Sequence, residues 1–269
     1  MTDLKGKIVL ITGGGSGIGK IMVRLCLERH AKVIIWDINQ TNIDDTILEF
    51  SNTGMVTGFN VDVSNNDQIQ EIAKKVKQEI GPVDVLINNA GIVVGKFFNE
   101  HSVTDISRTL AINTNAPMYV TLAFLNDMMQ SNSGHICNIA SSGGLISNPK
   151  MSVYAASKWA LIGWSDSLRL EMKQMKKAVN ITTILPYYIN TGMFDGVKSK
   201  IPILNPEASA LTIIKAIENN KKMITIPGYI YRFTRLGQAL LSINGFDWFA
   251  GKVLGIYKTM EHFTGRKQL

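Results

Sequence analysis

The chain is short of the residues that build metal sites and disulfide frameworks. Its 269 residues include two cysteines, Cys26 and Cys137, and four scattered histidines, His30, His101, His135 and His262. No Cys-x-x-Cys pair and no His/Cys cluster with ligand spacing occurs, so no metal is expected. The cysteines read as buried small hydrophobes in a reducing compartment. No run of 18 apolar residues occurs, so no spanning helix is expected. Neither a cleavable signal nor a hydrophobic anchor is expected, because MTDLKGKIVLITGGGSGIG runs directly into an apolar strand and a glycine loop. Charged residues make up 18% of the chain and hydrophobic ones 45%, which excludes long disorder. What remains is a globular α/β chain, cytoplasmic by default and large enough for a substantial core.

Charge is unevenly placed. The net charge is +7. From Asn220 onward, eight basic residues (Lys221, Lys222, Arg232, Arg235, Lys252, Lys258, Arg266 and Lys267) face two acidic ones, Asp247 and Glu261, leaving +6 there and about +1 elsewhere. No nucleic-acid partner is expected. The basic residues lie away from the glycine loop and carry no reader motif.

Short apolar runs alternate with amphipathic stretches. Lys7–Ile11, Lys32–Trp36, Met55–Val61, Val83–Ile87, His135–Ile139, Asn180–Leu185 and Met223–Ile226 read as seven strands. Helices are expected over Gly17–Arg29, Thr41–Phe50, Asn65–Ile80, Thr114–Gln130, Ser152–Lys177 and Pro206–Asn219. Continuous apolar strands separated by helices predict a doubly wound, seven-stranded parallel sheet of Rossmann type. No linker divides the chain. Residues 1–227 read as a dinucleotide-binding and catalytic unit, and residues 228–269 as a helical segment appended to the same domain.

The first strand delivers Thr12-Gly-Gly-Gly-Ser-Gly-Ile-Gly19, with Gly13, Gly17 and Gly19 spaced G-x3-G-x-G. Glycines there allow a tight turn and a close approach to a pyrophosphate, and the helix that follows offers free N–H groups. Asp37 ends the second strand. A carboxylate at that place accepts both hydroxyls of an adenosine ribose and repels a 2′-phosphate. Ser16 supplies no cation for such a phosphate. Both features favour NAD over NADP. A plain turn or capping Asp is the structural alternative.

Tyr154 and Lys158 form Tyr-x3-Lys at the start of a long helix, on one face. Alone the pair is weak evidence. The fifth strand, however, ends in Asn-Ile-Ala-Ser141-Ser142, at the sheet edge where such folds bind ligands.

Taken with Asp62-Val63, Asn88-Asn89-Ala90-Gly91 and Asn113, these residues resemble, in order, the motif set of the short-chain dehydrogenase/reductases. The resemblance covers residues 7 to about 192. It implies the following roles. Tyr154 is the general acid/base, and Lys158 lowers its pKa and binds the nicotinamide ribose. Ser141, with Ser142 as the weaker candidate, bonds the substrate oxygen. Asn113 holds a relay water. Gly13, Ser16, Gly17, Ile18 and Gly19 cradle the cofactor, Asp62 and Val63 meet the adenine, and Asn89, Ala90 and Gly91 line the cleft. After the sixth strand, Pro186-Tyr-Tyr-Ile-Asn-Thr-Gly-Met-Phe194 resembles the branch that holds retinol and 17β-hydroxysteroid dehydrogenases, as do Lys267 and its neighbours. Tyr187 stands where the family usually has glycine. Thr191 and the Ile189 backbone are then expected at the carboxamide.

The expected activity is hydride transfer between NAD(H) and a hydrophobic alcohol or carbonyl of retinoid, steroid or long-chain type. The alternative is an inactive dinucleotide-binding regulator. An intact Asn113, Ser141, Tyr154 and Lys158 set argues for the enzyme, since a pure binder needs only the glycine loop and Asp37. Tyr187, Tyr188, Met193 and Phe194 are expected to line an apolar substrate pocket. A homodimer or homotetramer is expected from the helices 114–130 and 152–177, which carry apolar residues such as Leu161, Ile162, Trp164 and Leu168 on more than one face.

Within the tail, Phe233, Leu236, Leu240 and Ile243 form one apolar helical stripe and Phe249, Val253, Ile256 and Met260 a second, with a break expected at Gly245 and Asp247. Two readings stay open. The helices roof the substrate cleft, or they also lie on an anionic membrane surface as a peripheral contact.

Overall fold

The structure, a computed structural model, describes residues 1–265. Seven strands form one parallel sheet: β1 (Ile8–Thr12), β2 (Lys32–Asp37), β3 (Val56–Asn60), β4 (Val85–Asn88), β5 (Gly134–Ile139), β6 (Val179–Pro186) and β7 (Met223–Ile226). Their order across the sheet is β3-β2-β1-β4-β5-β6-β7. The chain winds outward from β1 to β3, returns to the middle, and winds the other way from β4. The order therefore reverses between β1 and β4, and the crevice at their carboxyl ends is where a doubly wound sheet takes its ligand.

Helices cover both faces. Val9 and Ile11 of β1 point into a core shared with α1 (Gly17–Leu27), α2 (Gln40–Phe50) and α7 (Pro206–Glu218). Ile8 and Leu10 point into the opposite core, with α3 (Asn66–Glu79), α5 (Ala116–Gln130) and α6 (Ser152–Gln174). Both faces are dry, which is why the strands read as unbroken apolar runs. Each fully buried Ile, Leu or Val contributes about 1.5–3 kcal/mol over an exposed one. Several helices start on asparagine caps. Asn39 accepts from the Asn42 amide at 3.0 Å, Asn65 from Asp67 at 3.0 Å, and Asn205 from Ala208 at 2.9 Å.

Three expectations are corrected. A helix unforeseen in the sequence, α4 (Val103–Leu110), precedes α5, and a π-helical turn, Ala111–Asn115, joins them. Its sign was present. Ser102 and Asp105 form a capping box, with the Asp105 amide on Ser102 Oγ and the Ser102 amide on Asp105 Oδ2, both 3.0 Å. The tail breaks at Leu241, not at Gly245 and Asp247, which lie inside α9 (Ile243–Trp248). Leu241 is extended and Ser242 caps the new helix, accepting from the Gly245 amide at 3.2 Å.

The third correction concerns α8 (Tyr229–Leu240). It rests on the body through Ile230 and Thr234, and Gln238 Nε2 donates to the Leu145 carbonyl at 2.9 Å. Phe233, Leu236 and Leu240 therefore face solvent, exposed by 69%, 58% and 73%. The second stripe behaves differently. Ile256 and Met260 are buried against the body, while Val253 is exposed. Lys267 lies outside the described residues.

Candidate active site

The site is assembled at the crevice between β1 and β4. The chain leaves Thr12 and turns at Gly13, whose φ of +64° suits glycine. A Cβ on Gly19 would lie 2.0 Å from the Gly13 carbonyl oxygen, so the first turn of α1 can close on the loop only without a side chain there. Asn89 locks the two crevice strands together. Its Nδ2 donates to the carbonyls of Thr12 and Gly13 at 3.0 and 3.1 Å, while Thr12 Oγ1 accepts from the Asn89 and Ala90 amides at 3.0 and 3.1 Å.

Asp37 is buried and serves the same loop. Its Oδ2 accepts from the Gly15 amide at 2.9 Å and its Oδ1 from the Asn39 amide at 3.1 Å. The carboxylate therefore braces the turn and also faces the cleft.

One cleft gathers the proposed cofactor residues. Gly13, Ser16, Gly17, Ile18, Gly19, Asp37, Asp62, Val63, Asn89, Ala90 and Gly91 all line it. Tyr154, Lys158, Pro186, Ile189 and Thr191 line it as well. The cleft has a cavity volume of about 290 Å³ and is open to solvent. Trp36, Ile38, Ile92, Arg108 and Ile112 also line it. Arg108 escaped the sequence reading because it sits on α4. The other four are apolar, and no spacing rule separates them from core.

Ser141, Tyr154 and Lys158 line the same cleft. Ser141 follows β5 and accepts from the Gly143 amide at 3.0 Å. It lines this cleft and an adjoining cavity, whereas Ser142 lines only the cavity. Tyr154 and Lys158 lie in the first two turns of α6, both buried. Lys158 Nζ donates to the Ile139 carbonyl at 2.9 Å and lies 5.8 Å from the centroid of the Tyr154 ring.

Burial raises the Tyr154 phenol to about 12, against a hydrogen bond with Ser141 that lowers it. Burial also brings Lys158 down to about 8. The expected lowering of the phenol by Lys158 is thus not met in the protein alone. Both groups have lost their hydration, and in the protein alone that loss sets both shifts.

Asn113 stands behind the cleft in the π-helical turn. Its Oδ1 accepts from the Ile92 amide at 2.9 Å, and its Nδ2 donates to the Ile92 carbonyl at 2.9 Å and to Ser157 Oγ at 3.1 Å. A Cβ added to Gly91 would meet Asn113 Oδ1 at 3.3 Å and Lys158 Nζ at 3.7 Å, so the three positions share one corner.

The adjoining cavity is largely apolar. Tyr187, Phe194 and Ser141 line it as well as the cleft, and Tyr188, Met151, Ile201, Ile230 and Ile256 are among its other walls. Met193 faces the cleft alone. Tyr188 packs edge-on to Tyr187 and Phe194, with centroids 4.6 and 4.9 Å apart. Tyr187 has no positive φ, so its backbone has no need of the family's glycine. Tyr187 Oη bonds Ser199 Oγ at 2.8 Å. Ile230 of α8 and Ile256 of the tail form part of the wall.

Residues 7–202 match the model of the short chain dehydrogenase family. The chain belongs to that family. It is 33% identical over 273 residues to epidermal retinol dehydrogenase 2 of Mus musculus, covering 99% of this chain and 88% of the relative. It is 36% identical over 241 residues to human estradiol 17-beta-dehydrogenase 11 (Homo sapiens), covering 88% of this chain and 80% of the relative. A short chain dehydrogenase/reductase from Burkholderia phymatum, solved in complex with NAD, superposes with a TM-score of 0.82 at 25% identity. It covers 89% of this chain and 95% of its own.

The protein is accordingly an oxidoreductase acting on CH–OH groups, with a small-molecule substrate and a nicotinamide dinucleotide as cofactor. The residues present fit that cofactor. A glycine turn at a helix N-terminus, a buried carboxylate at the end of β2, and a lysine beside a phenol line one cleft. Among the described residues, no group of three or more His, Cys, Asp or Glu is placed to hold a metal, and no helix is long and apolar enough to cross a membrane.

Proposed function

We propose that the enzyme interconverts apolar alcohols and carbonyls with NAD(H) in preference to NADP(H), using Tyr154 as the proton carrier. The observation that carries this reading is the meeting of the cofactor cleft and an apolar cavity at one phenol. Ser141, Tyr187 and Phe194 line both spaces, and Tyr154 packs edge-on to Phe194 at 6.1 Å. The bound nicotinamide supplies or accepts the hydride. Tyr154 Oη takes the alcohol proton or returns it to the carbonyl oxygen. Ser141 Oγ bonds the same oxygen and keeps it beside the phenol. Lys158 holds the ribose, and its charge favours the phenolate. Asn113, fixed by Ile92, holds the water that relays the proton toward Lys158. Asp37 takes the adenosine ribose, Asp62 and Val63 flank the adenine, and Thr191 with the Ile189 backbone orients the carboxamide.

A panel of retinoids, steroids, long-chain alcohols and small polar alcohols, assayed with NAD+ and NADP+, tests the reading. Turnover of the apolar members with NAD+ is expected. Turnover confined to small polar alcohols would overturn it.

Two surfaces belong to the same proposal. The outward stripe of α8, continued by Ile243 and Trp248, stands among the exposed cations Arg232, Arg235 and Lys252. Apolar side chains ringed by positive charge are complementary to an anionic lipid surface. The tail also walls the apolar cavity through Ile256, so the roof and the membrane contact are compatible roles for different residues. For the homo-oligomer, Leu161, Ile162 and Leu168 are core residues and serve no interface. The face left free carries Tyr119 and Leu122 on α5 and Trp159 and Leu170 on α6, all exposed. A two-fold pairing of these helices would cover them.

A further inference from the structure

The last stretch of the tail, residues 256–265, is fastened to two loops that line the cofactor cleft. Asn89, Ala90, Gly91 and Ile92 belong to the loop after β4, and Thr191, Met193 and Phe194 to the loop after β6. The fastenings come just beyond those residues in each loop. In the β6 loop, the Asp195 carbonyl accepts from the Thr264 and Gly265 amides at 2.9 and 3.2 Å, and the Lys198 amide donates to the Thr259 carbonyl at 3.2 Å. Gly196, with a φ of +82°, sits so close to the His262 carbonyl that a Cβ there would overlap it. In the β4 loop, a Cβ on Gly95 would overlap the Phe263 ring and lie 2.9 Å from the Met260 methyl. Thr259 Oγ1 adds a third fastening, to Tyr188 Oη at 3.0 Å and to Asn148 Nδ2 at 2.8 Å. Met260 is buried in one cluster with Tyr154 and Tyr188. The tail is therefore a strap between the two loops.

The strap bears on what fits the apolar cavity. That cavity has a volume of about 50 Å³, against roughly 300–1,000 Å³ for pockets that hold drug-sized ligands. Part of its wall is fixed by the sheet and α6, through Ser141, Ser142 and Met151. Ile201 of the β6 loop and Ile256 of the tail belong to the part that the strap holds. A close-packed interior does not stretch, so room for a larger molecule comes from moving that second part. The fastenings at Gly95, Asp195 and Tyr188 oppose the movement.

We propose that Met260 and Phe263 set the size of substrate that the enzyme accepts. With the strap down, the pocket takes a short apolar alcohol. A long-chain or polycyclic one enters when the tail lifts from Gly95. The inference rests on the reading of this cavity as the substrate pocket and divides its substrates by size. Phe263 and Met260 are not among the residues that line the cavity, so they are positioning residues that act through the wall carrying Ile256.

The test compares 1-butanol with 1-decanol. kcat/KM with NAD+ and binding to the enzyme–NADH complex by calorimetry are measured for the full chain, Phe263→Ala, Gly95→Ala and the double variant. The decanol-to-butanol ratio is expected to rise about tenfold in Phe263→Ala, because a larger share of the protein has the strap open. Gly95→Ala should raise it too, since the added methyl displaces the ring. With the ring already gone it should add little, so the double variant should match Phe263→Ala. The ratio is read within each variant, so a partial loss of folded protein cancels, and NADH binding reports folding independently. Should Gly95→Ala fail to bind NADH, Phe263→Ala decides alone. A ratio that does not rise in a folded single variant, effects that add in full in the double variant, or no binding of either alcohol would each overturn the inference. A ratio that rises in binding without any turnover would instead overturn the alcohol-oxidation reading and leave the inference standing. Turnover of both alcohols at an unchanged ratio in every variant would do the reverse.

Discussion

Lys158 Nζ lies 5.8 Å from the Tyr154 ring centroid while it donates to the Ile139 carbonyl at 2.9 Å. The end of β5 thus holds the ammonium beside the phenol before any ligand enters. With the phenol near 12 and the ammonium near 8, the protein alone presents a protonated Tyr154 at neutral pH. That is the form needed to reduce a carbonyl. Oxidation needs the phenolate.

The first prediction follows from that asymmetry. kcat/KM for alcohol oxidation should climb from pH 7 toward pH 10, while carbonyl reduction stays level through neutrality and falls once the phenol ionises. Tyr154→Phe should bind NADH and lose roughly 10²–10⁴-fold in turnover in both directions. pH–rate profiles in each direction, with NADH titration by fluorescence, check it. An unchanged profile in the variant would remove Tyr154 from the mechanism.

Cofactor choice should follow Asp37. NAD+ is expected to exceed NADP+ in kcat/KM by about 10- to 100-fold, the effect of a phosphate set against an unshielded carboxylate. Asp37→Ser should narrow the ratio. It should also cost about 1 kcal/mol of stability, because the Gly15 and Asn39 amides lose their acceptor. Paired kinetics and thermal melts separate the two effects.

The α8 stripe makes a prediction about lipid. The full chain should co-sediment with phosphatidylserine vesicles at low salt and be released at high salt. Phe233→Ser with Leu240→Ser should weaken binding, because those side chains are 69% and 73% exposed. Undiminished binding by the double variant would move the contact elsewhere.

In the absence of lipid, light scattering should report a dimer or tetramer. Trp159→Glu, on the outer face of α6, should shift it toward monomer while NADH binding persists. A parent that scatters as a monomer at micromolar concentration refutes the pairing.

Acid stability should report on His135. The ring is buried between Thr2 and Thr182, and burial depresses it from 6.5 to about 4. The unfolded chain takes up the proton first as pH falls. Stability is therefore full above about pH 6.5 and declines toward pH 4, by up to about 3 kcal/mol. His135→Gln should flatten that part of the curve in urea unfolding series.

The sequence by itself determined the sheet, the glycine loop and the motif residues. Apolar runs four to eight residues long separated by helical periods admit one architecture. Gly13, Asp37, Tyr154 and Lys158 could be placed in it because their spacing follows local rules. Only the tertiary structure decided what faces what. Phe233, Leu236 and Leu240 share a helical stripe that looks like core, yet α8 packs through Ile230 and Thr234 and turns the stripe outward. Leu161 and Leu168 look available for pairing, yet they lie in the core. Asn148 and Thr259 are 111 residues apart and meet at 2.8 Å. Periodicity records which residues share a face of one element. Which face is buried depends on the neighbour that covers it, and that neighbour is brought by chain distant in sequence. The protonation of Tyr154 is of the same kind. Its charge state depends on the water that α6 and β5 exclude together, and no spacing of residues carries that quantity.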